Sequence, residues 1–226
     1  MPLDRNHEAA LHIRNAADEH KLESFSSGKP NSEDSMIKQS AIDDLKKQLR
    51  GELLQPAHPA YDDARTIFNA MIDRRPAAIV LCSGTPDAAA CVRFAREYDL
   101  PLSIRGGGHN IAGNAVCDGG VMLHMGKLNA VRVDAKNRTA SAQPGVTLGD
   151  YDRATTPLDL VTPLGVVSRT GVAGLTLGGG LGWLMGKYGL ACDNLISAEV
   201  LTAEGQTVQA SETENPDLLW GLRGGG

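Results

Sequence analysis

The sequence contains no long apolar run, no stripe of cationic residues and no targeting segment. Its hydrophobic stretches are far shorter than the roughly 20 residues of a membrane-spanning helix. The N-terminus lacks both the apolar core of a signal peptide and the acid-poor pattern of a transit peptide. The net charge is −5 and the basic residues are scattered. We therefore expect a cytoplasmic protein with neither a membrane nor a nucleic acid as partner.

The four cysteines form no Cys-x-x-Cys pair and no cluster with histidines at the spacing of a zinc site. We expect no metal site and no disulfide, but free thiols that are mostly buried. The cysteines are Cys82, Cys91, Cys117 and Cys192. With 226 residues, 42% of them hydrophobic, the chain can form one large globular domain or two small ones.

Ordered structure is predicted to begin near residue 41. Residues 1–40 are polar, mixed in charge and interrupted by "SFSSGKPNSEDS", which is typical of a mobile extension. The following stretch, "AIDDLKKQLRGELLQP", places Ile42, Leu45 and Leu49 on one face of a helix, and Gly51 is predicted to stop it.

The next block has the pattern of a strand, a helix and a second strand. The apolar run "AAIVLC" predicts a buried strand over residues 77–82. Thr85 is predicted to cap the helix, with Pro86 at its first position. The stretch "PLSIR", residues 101–105, predicts the second strand, and a parallel crossover is the economical arrangement.

Further elements follow towards the C-terminus. "GGVMLHMG" predicts a strand in which His124 has a structural role, and "VTLGDYDRAT" predicts a helix capped by Thr147, with Tyr151 and Asp152 at the surface. Two hairpins and a final helix complete the pattern. The hairpins are predicted to turn at Lys136-Asn137 and at Glu204-Gly205, and the helix to begin near Pro216.

Three consecutive glycines and a histidine follow the second strand, in "SIRGGGHN", residues 103–110. Glycine reaches positive φ and lets other atoms approach the backbone closely. The spacing does not match the Gly-x-Gly-x-x-Gly fingerprint of dinucleotide-binding folds, and no helix-forming stretch follows. A phosphate-binding loop at Gly186-Lys187 fails too, because Leu181 and Tyr188 occupy two of its required positions. Consecutive glycine amides could still cradle a diphosphate as a nest.

A second glycine-rich tract covers residues 165–194, "GVVSRTGVAGLTLGGGLGWLMGKYGLACDN". The backbone there must also pass close to other atoms. Two distant glycine tracts favour one extended ligand held between two small α/β layers.

Five motifs together resemble a known family. They are "RGGGHNIAG", "QPGVTLGD", "TGVAGLTLGGGLGWLMGKYGLACDN", "SAEVLTAEG" and "DLLWGLRGGG". In this order they resemble the PCMH-type FAD-binding domain of the vanillyl-alcohol oxidase and p-cresol methylhydroxylase superfamily, and most of all the bacterial berberine-bridge-enzyme-like FAD-linked oxidases. The resemblance covers roughly residues 45 to 226. It implies an α+β fold over residues 41–226, with two small α/β subdomains, 41–125 and 126–226, that hold the flavin between them.

The resemblance implies FAD as cofactor. In the family the glycine loop wraps the FAD diphosphate, and the following histidine forms a covalent bond to the 8α carbon of the flavin; here it is His109. A neutral imidazole nitrogen is nucleophilic near pH 7, and the resulting substituent should raise the flavin potential. Val167 stands where several members carry a second linking cysteine, and Cys192 is interpreted as a packing residue. We therefore expect a single covalent link.

The resemblance also assigns the cofactor-binding residues, position by position. The diphosphate and ribityl chain are assigned to Arg105, Gly106, Gly107, Gly108, His109, Asn110 and Gly113. The isoalloxazine side is assigned to Thr170, Gly171, Gly174 and Leu175, the last at a position where many plant members have a histidine. Gly180 and Gly182 either contact the cofactor or serve turn geometry alone, and the backbone of Val200 is assigned to the adenine end.

The family's substrate domain, which covers the flavin and supplies the catalytic base, has no counterpart in this sequence. We therefore expect a chain truncated before that domain, and no residue is assigned as catalytic. The leading hypothesis is an FAD-dependent oxidase or dehydrogenase that transfers a hydride from an alcohol, sugar or phenolic C–H. The alternatives are a flavin-binding or partner-binding fragment without turnover and a nucleotide binder unrelated to flavin. Substrate, electron acceptor and oligomeric state stay unassigned.

Overall fold

The computed structural model describes residues 37–226. The first half contains helices α1 (Gln39–Gln48), α2 (Tyr61–Arg65) and α3 (Thr85–Glu97) and strands β1 (Glu52–Leu54), β2 (Ala78–Leu81), β3 (Leu102–Arg105) and β4 (Val121–His124). The second half contains strands β5 (Val131–Asp134), β6 (Thr139–Ala142), β7 (Ser197–Leu201) and β8 (Thr207–Ser211) and helices α4 (Leu148–Thr155), α5 (Val172–Leu177), α6 (Met185–Tyr188) and α7 (Pro216–Leu222). Residues 1–36 of the predicted extension lie outside the described residues. Helix α1 begins at Gln39, two residues before its predicted start at Ala41.

Four strands form one sheet in the order β1-β2-β4-β3. β1 is antiparallel to β2, whereas β2 and β3 both run parallel to β4. The predicted strand-helix-strand unit is therefore present, but β4 lies between its two strands. The residue types of the two strands explain this order. Val121, Met122 and Leu123 of β4 are apolar and fully buried, as a central strand requires, whereas β3 contains Ser103 and Arg105 and is only partly buried.

The core lies on both faces of this sheet. Successive residues of β2 point to opposite faces, so Val80 packs with the α1 and α3 side and Ile79 packs with the α2 side. The amphipathic faces of α1 and α3 cover the first face through Leu45 and Phe94. Tyr61 of α2 covers the second face, and its hydroxyl donates to the carbonyl of Pro76 at 2.6 Å.

The predicted hairpins and caps of the second half are confirmed. β5 pairs with β6 and β7 with β8, with turns that contain Lys136-Asn137 and Glu204-Gly205. Gly205 has φ +77°, a conformation that favours glycine. The hydroxyl of Thr147 accepts from the Asp150 amide, and the Asp150 carboxylate accepts from the Thr147 amide, so α4 begins with a capping box.

Two predictions for helix ends were wrong because contacts distant in sequence decide them. α1 ends at Gln48, and Gly51 is instead a point of close approach, since a Cβ there would overlap the Leu81 carbonyl. α3 has Gly84, not Thr85, at its N-cap, without a side-chain cap. The Asp87 carboxylate near the start of α3 instead accepts hydrogen bonds from the amides of Arg50, Gly51 and Ser83.

Tyr151 was predicted at the surface, and this was wrong. Its ring is buried with Val146 and Leu164, and its hydroxyl lies 2.9 Å from Oγ1 of Thr162. The neighbouring Asp152 is exposed, as predicted. Adjacent residues of a helix point in different directions, so Tyr151 faces the core whereas Asp152 faces solvent.

The cysteines are free thiols, as predicted. Cys82, Cys91 and Cys192 are buried and Cys117 is half-buried. Burial raises the pKa of Cys82 to about 12, so this thiol stays protonated and unreactive at neutral pH. Over residues 37–226, no helix combines the length and the apolar character needed to cross a bilayer.

Candidate cofactor-binding site

The glycine loop, residues 106–113, leaves the end of β3 with its amides available to a ligand. The amides of residues 106–110 donate to no group in residues 37–226. Gly108 and Gly113 have φ +70° and +81°, which gives the loop its shape. A run of amides without protein acceptors is typical of an anion-binding nest.

Arg105 adds a cationic charge beside this loop. Its Nη1 lies 2.5 Å from Nε2 of His124, and its Nη2 donates to the Thr66 carbonyl at 3.2 Å. Its Nε is buried, has no partner within residues 37–226, and lies against Gly108. Burial lowers the pKa of Arg105 below its ordinary value. Both of its described partners are electrically neutral at pH 7, so the charge is left to act on the loop.

His124 is neutral because of where it lies. Burial, and then the charge of Arg105, lower the pKa of His124 to about 4. Its Nδ1 accepts from the amide of Gly126 at 3.1 Å. The predicted structural role is consistent with this position at the end of β4.

The two glycine tracts meet at Gly107 and Gly171. A Cβ at Gly107 would overlap the nitrogen of Gly171, and a Cβ at Gly171 would lie 2.5 Å from the nitrogen of Gly107. The second tract is held there because the carbonyl of Thr170 accepts from the Leu148 amide at 2.9 Å. Only glycine at both positions allows this backbone approach.

A cavity of about 600 Å³ opens beside this meeting point. Three of the predicted residues line it: Gly106, Gly174 and Val200. Residues of α7, among them Asp217 and Trp220, also line the cavity, and the sequence did not predict them. The volume lies within the ~300–1,000 Å³ that small-molecule sites usually have. The cavity therefore runs from the glycine loop to β7 and α7.

His109 does not line this cavity and is held in a fixed orientation. Its ring stacks on Phe68, with 4.6 Å between ring centroids and 15° between ring planes. Its Nδ1 lies 3.0 Å from the carbonyl of Gly107. A carbonyl only accepts, so Nδ1 carries the proton of the neutral ring and Nε2 keeps its lone pair. Phe68 was missed because nothing in an irregular segment marks a partner 41 residues away.

The remaining predicted residues lie apart from the cavity. Leu175 packs against Gly165 and Gly180 in the core of the second half. A Cβ at Gly180 would overlap that of Ala191, and one at Gly182 would overlap the carbonyl of Leu164. Packing thus accounts for glycine at both positions, and their contact with a cofactor stays a prediction.

FAD fits these residues. Its diphosphate carries negative charge, which free amides and the unpartnered Nε of Arg105 can bind together. The cavity beside the loop has room for an adenosine or a similar group. The α+β fold, the amide nest and the adjoining cavity define a nucleotide-cofactor-binding domain.

Comparison with known proteins identifies the family. Residues 76–211 match the family described as FAD binding domain, and the chain belongs to it. (R)-6-hydroxynicotine oxidase of Paenarthrobacter nicotinovorans is 35% identical over 178 residues, which are 79% of this chain and 39% of that protein. The FAD-linked oxidoreductase pgmH of Aspergillus terreus is 34% identical over 195 residues, 85% of this chain and 40% of that protein.

Solved structures agree with this assignment. 6-Hydroxy-D-nicotine oxidase from Arthrobacter nicotinovorans superposes with a TM-score of 0.77 at 35% identity and covers 78% of this chain and 39% of its own. The berberine-bridge-enzyme-like protein 1 of Physcomitrella patens gives 0.78 at 27%, with 81% and 40% covered. The chain therefore has the fold of a PCMH-type FAD-binding domain, as predicted. It spans about 40% of the length of these relatives.

Proposed function

We propose that this chain is the cofactor half of an oxidoreductase that takes a hydride from an alcohol, sugar or phenolic C–H onto a flavin attached through His109. Bound FAD supplies the two-electron acceptor. The observation that carries the proposal is the position of His109 within the run of five free amides, residues 106–110, with an imidazole lone pair at Nε2. FAD-linked oxidases and oxidoreductases among the relatives support the reaction class.

The attachment step needs only groups that this site and air provide. Nε2 of His109 forms a bond to the 8α carbon of the flavin, and this C–N bond replaces one C–H bond of the methyl group. The methyl group would lose a proton to solvent, and the two electrons of its C–H bond would reach dioxygen through the bound flavin and give hydrogen peroxide. In the neutral imidazole the Gly107 carbonyl holds the proton on Nδ1, which makes Nε2 the nucleophilic nitrogen.

Replacing His109 with alanine is expected to abolish acid-stable flavin. The wild-type chain should remain yellow after acid precipitation and washing, whereas His109→Ala should release all of its flavin, because the proposal places the covalent bond on His109. Absorbance of the redissolved precipitate measures the difference.

A surface histidine provides the matched control. His58 is exposed; its Nε2 lies 3.6 Å from Glu52 and its Nδ1 accepts from the Ala60 amide at 3.1 Å, so it has no contact with the glycine loop through these groups and His58→Ala should retain flavin like the wild type. Retention by His109→Ala, or a colourless wild-type precipitate, would contradict the covalent link.

The cavity wall supports a second expectation, that ADP, which represents half of FAD, binds beside Trp220. The chain has two tryptophans, and both are exposed: Trp220 at 81% lines the cavity and Trp183 at 87% does not. In Trp183→Phe, ADP should change the fluorescence of the remaining Trp220. In Trp220→Phe it should leave the fluorescence of Trp183 unchanged. A fluorescence response confined to Trp183 would show that ADP binds at another surface and would contradict this expectation.

A flavin-binding or partner-binding module without turnover is the second candidate. Exposed apolar side chains on the second glycine tract favour it, because such surfaces mark contacts with other proteins or domains. Leu181, Trp183 and Val166 form part of this surface. Anaerobic mixing with an alcohol, a sugar or a phenol separates the two: bleaching of the bound flavin supports the oxidoreductase, and persistent colour with every probe supports the binding module.

A further inference from the structure

We propose that residues 66–74, here called the loop clamp, hold the glycine loop in shape, and that Phe68 within it is a positioning residue for His109. The inference rests on the proposed attachment of flavin through His109. The clamp lies between α2 and the approach to β2, in a stretch without regular structure. It contains neither a predicted site residue nor a cavity-lining residue.

The loop clamp binds the glycine loop along its length. The amide of Phe68 donates to the Gly108 carbonyl at 2.9 Å, and the side chain of Asn69 donates to the Ile111 carbonyl at 2.8 Å. Arg74 donates to the carbonyl of Gly113 at 3.0 Å. A carbonyl and the amide that follows it point in opposite directions in a trans peptide, so the bond to the Gly108 carbonyl turns the His109 amide away from the loop clamp.

The loop clamp is itself anchored. Ile67 is buried in the core beside Tyr61 and Met122. Arg65, at the end of α2, forms an ion pair with Asp73 and donates to the carbonyl of Arg74 at 3.3 Å, which closes the clamp into a loop. A segment fixed at both ends can position a side chain that is not itself buried.

Phe68 contributes orientation rather than core packing. Its side chain is 63% exposed, yet its ring is nearly parallel to that of His109 at 4.6 Å. The stack fixes the plane of the imidazole, and the Nδ1 bond to Gly107 fixes its rotation within that plane. Together they give Nε2 one direction. Fixing a nucleophile in the attacking orientation accelerates a reaction without strengthening ground-state binding.

The test follows attachment of FAD to apo-chain made under riboflavin limitation, with acid-stable flavin measured against time. At saturating FAD, Phe68→Ala should attach flavin about tenfold more slowly or worse, while the dissociation constant of FAD before attachment changes less than about threefold. Phe68→Tyr keeps the ring and should restore the rate. Met71→Ala is the matched control, because Met71 lies in the same segment, is 91% exposed and contacts no loop residue through a described hydrogen bond.

The outcomes separate this inference from the proposed function. A wild-type chain that never acquires acid-stable flavin overturns both. A wild type that attaches flavin, with Phe68→Ala at the same rate or Phe68→Tyr as slow as the alanine variant, overturns the positioning role alone. An equal loss in Met71→Ala would also overturn it, since the whole segment would then matter and not the ring.

Nuclear magnetic resonance of the apo-chain supplies a readout that does not involve flavin. Stacking on Phe68 should shift the His109 ring protons upfield, and the nitrogen shifts should report one tautomer with its proton on Nδ1. In Phe68→Ala the upfield shift should disappear. Unchanged His109 resonances would show that the ring is oriented without Phe68 and would overturn the inference.

Discussion

Gly107→Ala is expected to eliminate FAD binding and to destabilise the chain by roughly 3 kcal/mol or more. The added methyl group would overlap the backbone nitrogen of Gly171, and a backbone cannot rotate out of the way as a side chain can. The two glycine tracts would have to separate. Equilibrium binding of FAD and urea unfolding of the apo-chain measure the two effects.

Gly186→Ala is the control for this prediction. Gly186 lies within α6, where a Cβ would meet nothing within 4 Å, so alanine there should be neutral or slightly stabilising. Unaltered FAD binding by Gly107→Ala would show that the meeting of the two tracts is not needed for the site.

Asp87→Asn is expected to lower the free energy of unfolding by about 3 kcal/mol at pH 7. The carboxylate is 1% exposed and accepts bonds from the amides of Arg50, Gly51 and Ser83 and from the Ser83 hydroxyl. An asparagine has one accepting oxygen and turns an NH2 group towards donors. The contact between the segment that joins α1 to β1 and the start of α3 would then lose hydrogen bonds to the Asp87 carboxylate.

The pH dependence distinguishes this cause from a simple packing change. Burial alone would raise the pKa of Asp87, but the hydrogen bonds from Ser83, Arg50 and Gly51 outweigh it and hold the pKa below its ordinary value. A carboxyl with a lowered folded-state pKa stabilises the fold above its unfolded pKa, about 3.9, and loses this contribution as the pH falls through the folded value.

The difference in the free energy of unfolding between wild type and Asp87→Asn should therefore be largest near neutral pH and shrink below about pH 4. Urea unfolding at several pH values measures it. Exposed Asp152, replaced with asparagine, should change stability by less than about 0.5 kcal/mol. A constant difference across pH would contradict the role given to the Asp87 charge.

Local sequence patterns correctly predicted the helix caps and turns whose hydrogen bonds join residues close together in sequence. The capping box at Thr147 and Asp150 spans three residues, and the turn at Glu204-Gly205 needs only the positive φ that glycine provides. FAD was predicted from a different signal, the resemblance of five motifs in a fixed order to a known family.

Contacts between distant segments were not predictable from local patterns. The insertion of β4 between β2 and β3 depends on which strand can be buried on both sides, and Gly51 is needed because β2 passes close to it. Phe68 meets His109 only after the sheet has brought residues 66–74 against the glycine loop. The cavity wall of α7 was missed for the same reason.

Peptide mapping of the flavin tests the central claim most directly. After denaturation and trypsin digestion, His109, Cys117 and His124 lie in one peptide, residues 106–127, so fragmentation must separate them. We predict that the flavin is on His109 and that the other two residues are unmodified. Flavin on His124, on any cysteine, or on no peptide of the denatured chain would contradict the account of this site.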